Sequence, residues 1–111
     1  MSRAYHMDIF IENYDSGKSE EIDEAVTEIW NIEGSYKRKE EIHLYGDGNL
    51  SGGASEEDFM KEVTIAVFKA NEAACDIRIH ATYMEDLPYE YHSIEKDSDE
   101  AKEILKEIQE E

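Results

Sequence analysis

The chain has 111 residues, 40% of them apolar and 10% aromatic, with 11 Lys+Arg against 29 Asp+Glu for a formal net charge of −18. A chain this short builds one core and no second independent domain, and its apolar share is enough to fold rather than stay disordered. The acidity argues against direct contact with nucleic acid or anionic lipid, whose affinities grow with Lys and Arg brought to phosphate, and no apolar run approaches the ~18 residues of a membrane span.

Tyr5, Met7, Ile9 and Ile11 fall at alternate positions against His6, Asp8 and Glu12, Phe10 being the exception, and predict a half-buried strand. After a turn at 13–17, Ser19 is placed to cap a helix on which Ile22, Ala25, Val26, Ile29 and Trp30 recur at three- and four-residue spacing. Glu20, Glu21, Asp23 and Glu24 crowd its first turns, where the positive end of the helix dipole favours anions, and the helix is expected to end near Gly34. Residues 36–45 carry Lys37-Arg38-Lys39 and then Ile42 and Leu44 alternating with His43 and Tyr45, a second strand. Gly46-Asp47-Gly48-Asn49 is turn chemistry, so residues 49–52 are expected to fold back as a short third strand.

Ser55-Glu-Glu-Asp58 has the form of a capping box with Asp in place of Glu, opening a helix with Phe59, Val63, Ala66, Val67 and Ala70 on one stripe. Cys75, Ile77, Ile79, Ala81 and Tyr83 alternate with Asp76, Arg78, His80 and Thr82 in the cleanest one-sided strand of the chain. Leu87-Pro88 turns the chain into a final edge strand, with Tyr89, Tyr91 and Ser93 alternating with Glu90, His92 and Ile94. From Ser98 onward, Ala101, Ile104, Leu105 and Ile108 mark an amphipathic helix. One-faced strands and striped helices predict an α+β two-layer sandwich with a ferredoxin-like βαββαβ antiparallel sheet, an added edge strand and a C-terminal helix. If 49–52 is only a loop, the alternative is a βαβαββ sheet of the same two-layer kind. The expected organisation is one α+β domain over residues 1–96 and an acidic helix or tail over 97–111.

The stretch from Gly52 to Glu90 opens with Gly-Gly-Ala-Ser-Glu-Glu-Asp-Phe and closes with Ala-Asn-Glu-Ala-Ala-Cys-Asp-Ile-Arg-Ile-His-Ala-Thr-Tyr-Met-Glu-Asp-Leu-Pro-Tyr-Glu. It resembles a group of small acidic proteins carried by bacteria and their phages, and Met7-Asp-Ile-Phe-Ile-Glu-Asn-Tyr-Asp15 has the same character. Together these segments cover most of the chain up to about Ile94. The resemblance implies a phage or mobile-element setting; no activity is assigned to that group, so it carries over no residue role.

His6, His43 and His80 each stand opposite the apolar side of a predicted strand and can meet on one open sheet surface, where Asp8, Glu41 or Asp76 could complete a metal-ligand set. No closely spaced ligand motif supports that, and the expectation is a solvated polar face with no metal and no cofactor. Cys75 lacks a base on its own face of the strand and reads as a small core residue; alone, it makes no internal disulfide, which fits a reducing, cytoplasmic setting. The glycine-rich 46–53 segment lacks a Walker lysine, and Glu56, Glu57 and Asp58 would repel phosphate from the helix that follows. Asp47, Asn49 and Ser51 superficially suggest a calcium loop, but no helix precedes them and Asp58 stands where the loop's closing Glu belongs. No carboxylate pair stands out among the acids, so no catalytic residue is assigned and the expectation is a non-enzymatic protein.

The distribution of charge says more than its total. Residues 1–36 carry −7 and residues 97–111 carry −5, while 37–54 are neutral. A helix face bearing Glu20, Glu21, Asp23, Glu24 and Glu28 presents carboxylates a few ångströms apart, much as a nucleic-acid backbone presents phosphates. Such a face would compete for the basic groove of a nucleic-acid-binding effector, as small acidic DNA mimics do against restriction or CRISPR systems. The alternative is an interaction module working through its Tyr-rich edge, or a homodimer formed by pairing of the last strand. The expected contact set is therefore the five α-helical acids together with Glu85, Asp86, Tyr89 and Tyr91.

Overall fold

The computed structural model describes residues 3–38, 41–50, 55–83 and 89–110. In chain order the elements are β1 (Arg3–Glu12), α1 (Ser19–Ile29), β2 (Gly34–Arg38), β3 (Glu41–Leu50), α2 (Glu56–Asn71), β4 (Asp76–Tyr83), β5 (Tyr89–Ile94) and α3 (Asp99–Gln109). The strands form one α+β protein's single five-stranded sheet in the order β2-β3-β1-β4-β5, and every neighbouring pair is antiparallel.

Alternation decides which side of the sheet is covered. Tyr5, Met7, Ile9 and Ile11 of β1, Ile42 and Leu44 of β3, and Ile77, Ile79 and Ala81 of β4 are buried, and their neighbours at the intervening positions are only half-buried. The buried set is continuous with Ile22 and Val26 of α1, Phe59, Val63, Val67 and Phe68 of α2, and Ala101 and Ile104 of α3. All three helices thus supply apolar residues to the same core as one face of the sheet, the C-terminal helix through Ala101 and Ile104.

The helix starts divide the sequence expectations. Ser55 accepts from the Asp58 N–H at 3.1 Å and Asp58 Oδ2 accepts from the Ser55 N–H at 3.1 Å, the reciprocal capping box expected. Those bonds hold the Asp58 carboxyl below its ordinary range. Ser98 likewise caps α3 through the Ala101 N–H at 3.2 Å. Ser19, by contrast, is the first residue of α1 and not its cap; a short 3₁₀ turn at Ser16–Lys18 precedes it, with the Asp15 carboxylate accepting from the Gly17 N–H. The helix also stops at Ile29, short of Gly34, because Trp30 swings to an extended conformation and enters the core.

The larger correction concerns residues 36–52. The strand expected over residues 36–45 is divided between β2, which ends at Arg38, and β3, which starts at Glu41 and holds the alternating Ile42, His43, Leu44 and Tyr45, and Gly46-Asp47-Gly48-Asn49 is not a turn but the continuous second half of the ten-residue β3, with Asn49 paired to Ala4 and Gly46 to Met7. The two glycines serve packing. A Cβ on Gly46 would lie 1.9 Å from the Asn31 carbonyl oxygen, and one on Gly48 would lie 2.9 Å from the Trp30 ring. Trp30 Nε1 donates to the Gly46 carbonyl at 2.8 Å, and the Glu33 N–H donates to the Tyr45 carbonyl at 2.8 Å. The segment after α1 therefore lies against β3 where β2 no longer covers it. The expected fold-back strand at 49–52 does not form from Asn49 and Leu50, which belong to β3, and residues 51–52 lie outside the described residues.

Candidate functional site

The sheet face turned away from the core carries a connected polar and aromatic network. His6, Asp8, Phe10 and Glu12 project from β1, Glu41, His43, Tyr45 and Asp47 from β3, and Arg78, His80 and Thr82 from β4, with register pairs such as Asp8 opposite both Tyr45 and His80. His43 Nε2 lies 2.9 Å from one Asp8 carboxylate oxygen, and His6 Nε2 lies 3.2 Å from the other. The opposite nitrogen of His6 meets Asp47 at 2.6 Å. That hydrogen bond, with help from the Asp8 charge, raises the His6 pKa above its ordinary value, although burial works the other way.

Phe10 sits at the centre of the face. It stacks on His43 at 4.3 Å between ring centroids, meets His80 at 5.3 Å, and lies 5.2 Å beneath the Arg78 guanidinium. Arg78 in turn pairs with Glu12 and, at 3.3 Å, with Glu41. The close Glu12 and Glu41 carboxyls hold the Glu12 pKa up despite that guanidinium. Tyr36 and Tyr91, 59% and 52% exposed, bound the network on the two edge strands, Tyr91 with its ring 5.2 Å from His80. The three histidines do share this surface, as alternation suggested, and of the carboxylates suggested beside them Asp8 meets His6 and His43, whereas Glu41 goes to Arg78, and Asp76 accepts from Asn13 and from the Lys96 N–H. Among the described residues no three ligand atoms converge there.

The acidic residues lie elsewhere. Glu20, Glu21, Glu24 and Glu28 are exposed on α1, on the side away from buried Ile22 and Val26, and among the described residues none of them has an ion-pair partner. Asp23 is half-buried, 3.9 Å from Lys37 Nζ and within 3.4 Å of the Thr27 hydroxyl. Tyr91 belongs to the open sheet face and so stands on the other side of the sheet from α1. Tyr89 pairs with Thr82 in the β5 register, while Glu85, Asp86 and Leu87 lie outside the described residues. Tyr83 packs against Tyr5 at 5.3 Å on the core side and is not continuous with Tyr91.

Cys75 is fully buried, and burial pushes its thiol up to about 12, so it holds its proton at neutral pH. Asp47 and Asn49 lie within a strand, with Asp47 engaged by His6, which is not the geometry of a calcium loop. Sequence reasoning passed over His92, which alternation had placed with Glu90 and Ile94; besides Glu90 it meets Glu56 at the start of α2, a contact that no local pattern encodes. Comparison with protein-family models, curated proteins and solved structures finds no match to this chain. No helix among the described residues is long and apolar enough to cross a membrane.

Proposed function

We propose that this protein is an acidic competitor for the nucleic-acid groove of a basic effector protein, a DNA mimic of the anti-CRISPR or anti-restriction type, working in the cytoplasm of a bacterial host. The observation that carries this reading is the set of exposed carboxylates on α1. Glu20, Glu24 and Glu28 recur every fourth residue, a rise of about 6 Å along the helix, and Glu21 lies beside them. A cationic groove built for phosphates at comparable spacing would gain from them both attraction at long range and displacement of its counterions. The scaffold we read as a two-layer ferredoxin-like βαββαβ unit. What supports this is β1 lying between β3 and β4 with antiparallel neighbours throughout; the added β5 makes the order differ from a bare four-stranded sheet.

A second reading rests on Tyr36 and Tyr91, the large apolar side chains left most exposed among the described residues, both bounding the open sheet face. It is an interaction module that engages a partner, or a second copy along β5, through that face. The two readings separate in one experiment. Tagged protein is incubated with host lysate at low and high NaCl, alongside a Glu20→Lys, Glu21→Lys, Glu24→Lys, Glu28→Lys variant and a Tyr36→Ala, Tyr91→Ala variant, with circular dichroism confirming each fold. Mimicry requires a nucleic-acid-binding partner that is released by salt, displaced by duplex DNA and lost in the charge-reversed variant. Retention by that variant, with loss in the tyrosine variant and indifference to salt, establishes the sheet-face module instead.

A further inference from the structure

We propose that Glu56, Glu90 and His92 form a binding site for one divalent transition-metal ion, Zn²⁺ being the natural occupant. The site is independent of the α1 carboxylates and of the open sheet face. Glu90 and His92 are two residues apart on β5 and so share one face of that strand, the face whose next member, Ile94, is buried in the core. Glu56 is the first residue of α2 and comes down on the same face from above.

Three donor atoms converge. His92 Nε2 is 3.0 Å from Glu56 Oε1 and 3.9 Å from Glu90 Oε2, and all three ligand atoms lie within 4.8 Å of one another. Tetrahedral donors about 2.0–2.1 Å from an ion stand roughly 3.4 Å apart, so closure onto a metal asks for movements of about an ångström. The residue with furthest to move is also the one free to do so: the Glu90 side chain is 71% exposed, against 16% for Glu56 and 20% for His92. Glu56 is held from behind by the hydroxyl of buried Tyr5, which donates to its other carboxylate oxygen at 2.9 Å. An outer hydrogen bond of this kind fixes the ligating oxygen toward the site and is what metal-bound carboxylates ordinarily have.

An ion pair between His92 and Glu56 does not account for the whole arrangement. Two carboxylates approach one imidazole nitrogen, which has a single proton to share, and Glu57 and Asp58 add negative charge in the same helical turn. A divalent cation relieves that repulsion where one proton cannot. One imidazole and two carboxylates match a borderline ion such as Zn²⁺ better than Mg²⁺, and three protein donors leave a fourth position for water. The exposed Glu90 side chain leaves the site open to solvent.

The test uses the full chain, stripped with chelator and titrated with Zn²⁺ by calorimetry and with Co²⁺ by visible absorption, both in millimolar Mg²⁺ to occupy diffuse acidic sites. The expected result is one ion per chain, Co²⁺ d–d bands of low-coordinate intensity, and at least tenfold weaker binding in His92→Gln and in Glu90→Gln. Glu90 is exposed, so its variant keeps the fold and keeps the experiment decisive even if His92→Gln destabilises the protein. Glu24→Gln on α1 is the control and should bind as the parent does. Substoichiometric binding, full displacement by Mg²⁺, or equal weakening in all three variants would overturn the proposal and leave only diffuse attraction to an acidic surface.

Discussion

Asp8 serves two imidazoles at once, and His6 serves two carboxylates, which makes the proton on His6 the most consequential one on the open sheet face. The folded protein holds that proton more tightly than the unfolded chain does, because Asp47 accepts from the ring. The stabilisation is therefore complete below the ordinary imidazole value of 6.5 and is lost as pH rises through the raised native value. Asp47→Asn removes the largest contributor, so its cost in urea unfolding should be clear at pH 5.5 and vanish by pH 9, while the His6 ring resonances titrate at lower pH in the variant. A cost that is the same at both pH values would show that Asp47 acts through something other than the imidazolium. Cys75 makes the opposite kind of prediction. With its thiol buried and pushed up to about 12, alkylation at pH 8 should be undetectable by mass spectrometry in the native protein and complete in urea. Prompt native modification would mean that the start of β4 opens readily. Both residues were partly legible beforehand: alternation alone put Cys75 inside and His6 outside. The identity of the His6 partners was not, since Asp47 comes from a strand 41 residues away.

At the level of elements, what sequence revealed and what it hid follow from range. The capping box of α2 is closed by groups three residues apart, so its signature is local and survives as read. The glycines of β3 look like turn residues for as long as only their neighbours are considered. Their actual reason is Trp30 and Asn31, about fifteen residues earlier, which need the strand surface bare. The same holds for α1, whose end is set by where Trp30 must go and not by Gly34. Three substitutions put magnitudes on this difference. Gly46→Ala forces a methyl against a backbone carbonyl that cannot step aside, and should cost about 3 kcal/mol or more. Ser55→Ala removes one cap and should cost about 1 kcal/mol. Gly17→Ala meets only ordinary contact with Asp15 and should change stability by no more than about 0.5 kcal/mol. Denaturant midpoints order the three, and a Gly46→Ala variant as stable as the parent would contradict the packing of the segment after α1 against β3.

Across the whole molecule, 29 acids in 111 residues repel one another in the folded state more than in the expanded one, so NaCl should raise the melting temperature. That response offers a way to ask what holds α3, which carries acids of its own yet lies against the core. Among the described residues both an ion pair and apolar packing attach it. Lys61 Nζ meets Glu107 at 3.4 Å, with both side chains more than half exposed, and a pair of that kind contributes about 0–1 kcal/mol and is screened by salt. Ala101 and Ile104 are buried in the common core, and truncating a side chain such as Ile104 costs about 2 kcal/mol or more, with no dependence on ionic strength. Packing should therefore dominate. Ile104→Ala is expected to lower the melting temperature by a similar amount at 20 mM and 500 mM NaCl, whereas the effect of Glu107→Gln should be small at low salt and absent at high salt. If instead the Ile104→Ala penalty shrank as salt rose, the helix would be held chiefly by charge, and the groove between α2, β5 and α3 would be a surface that opens with ionic conditions.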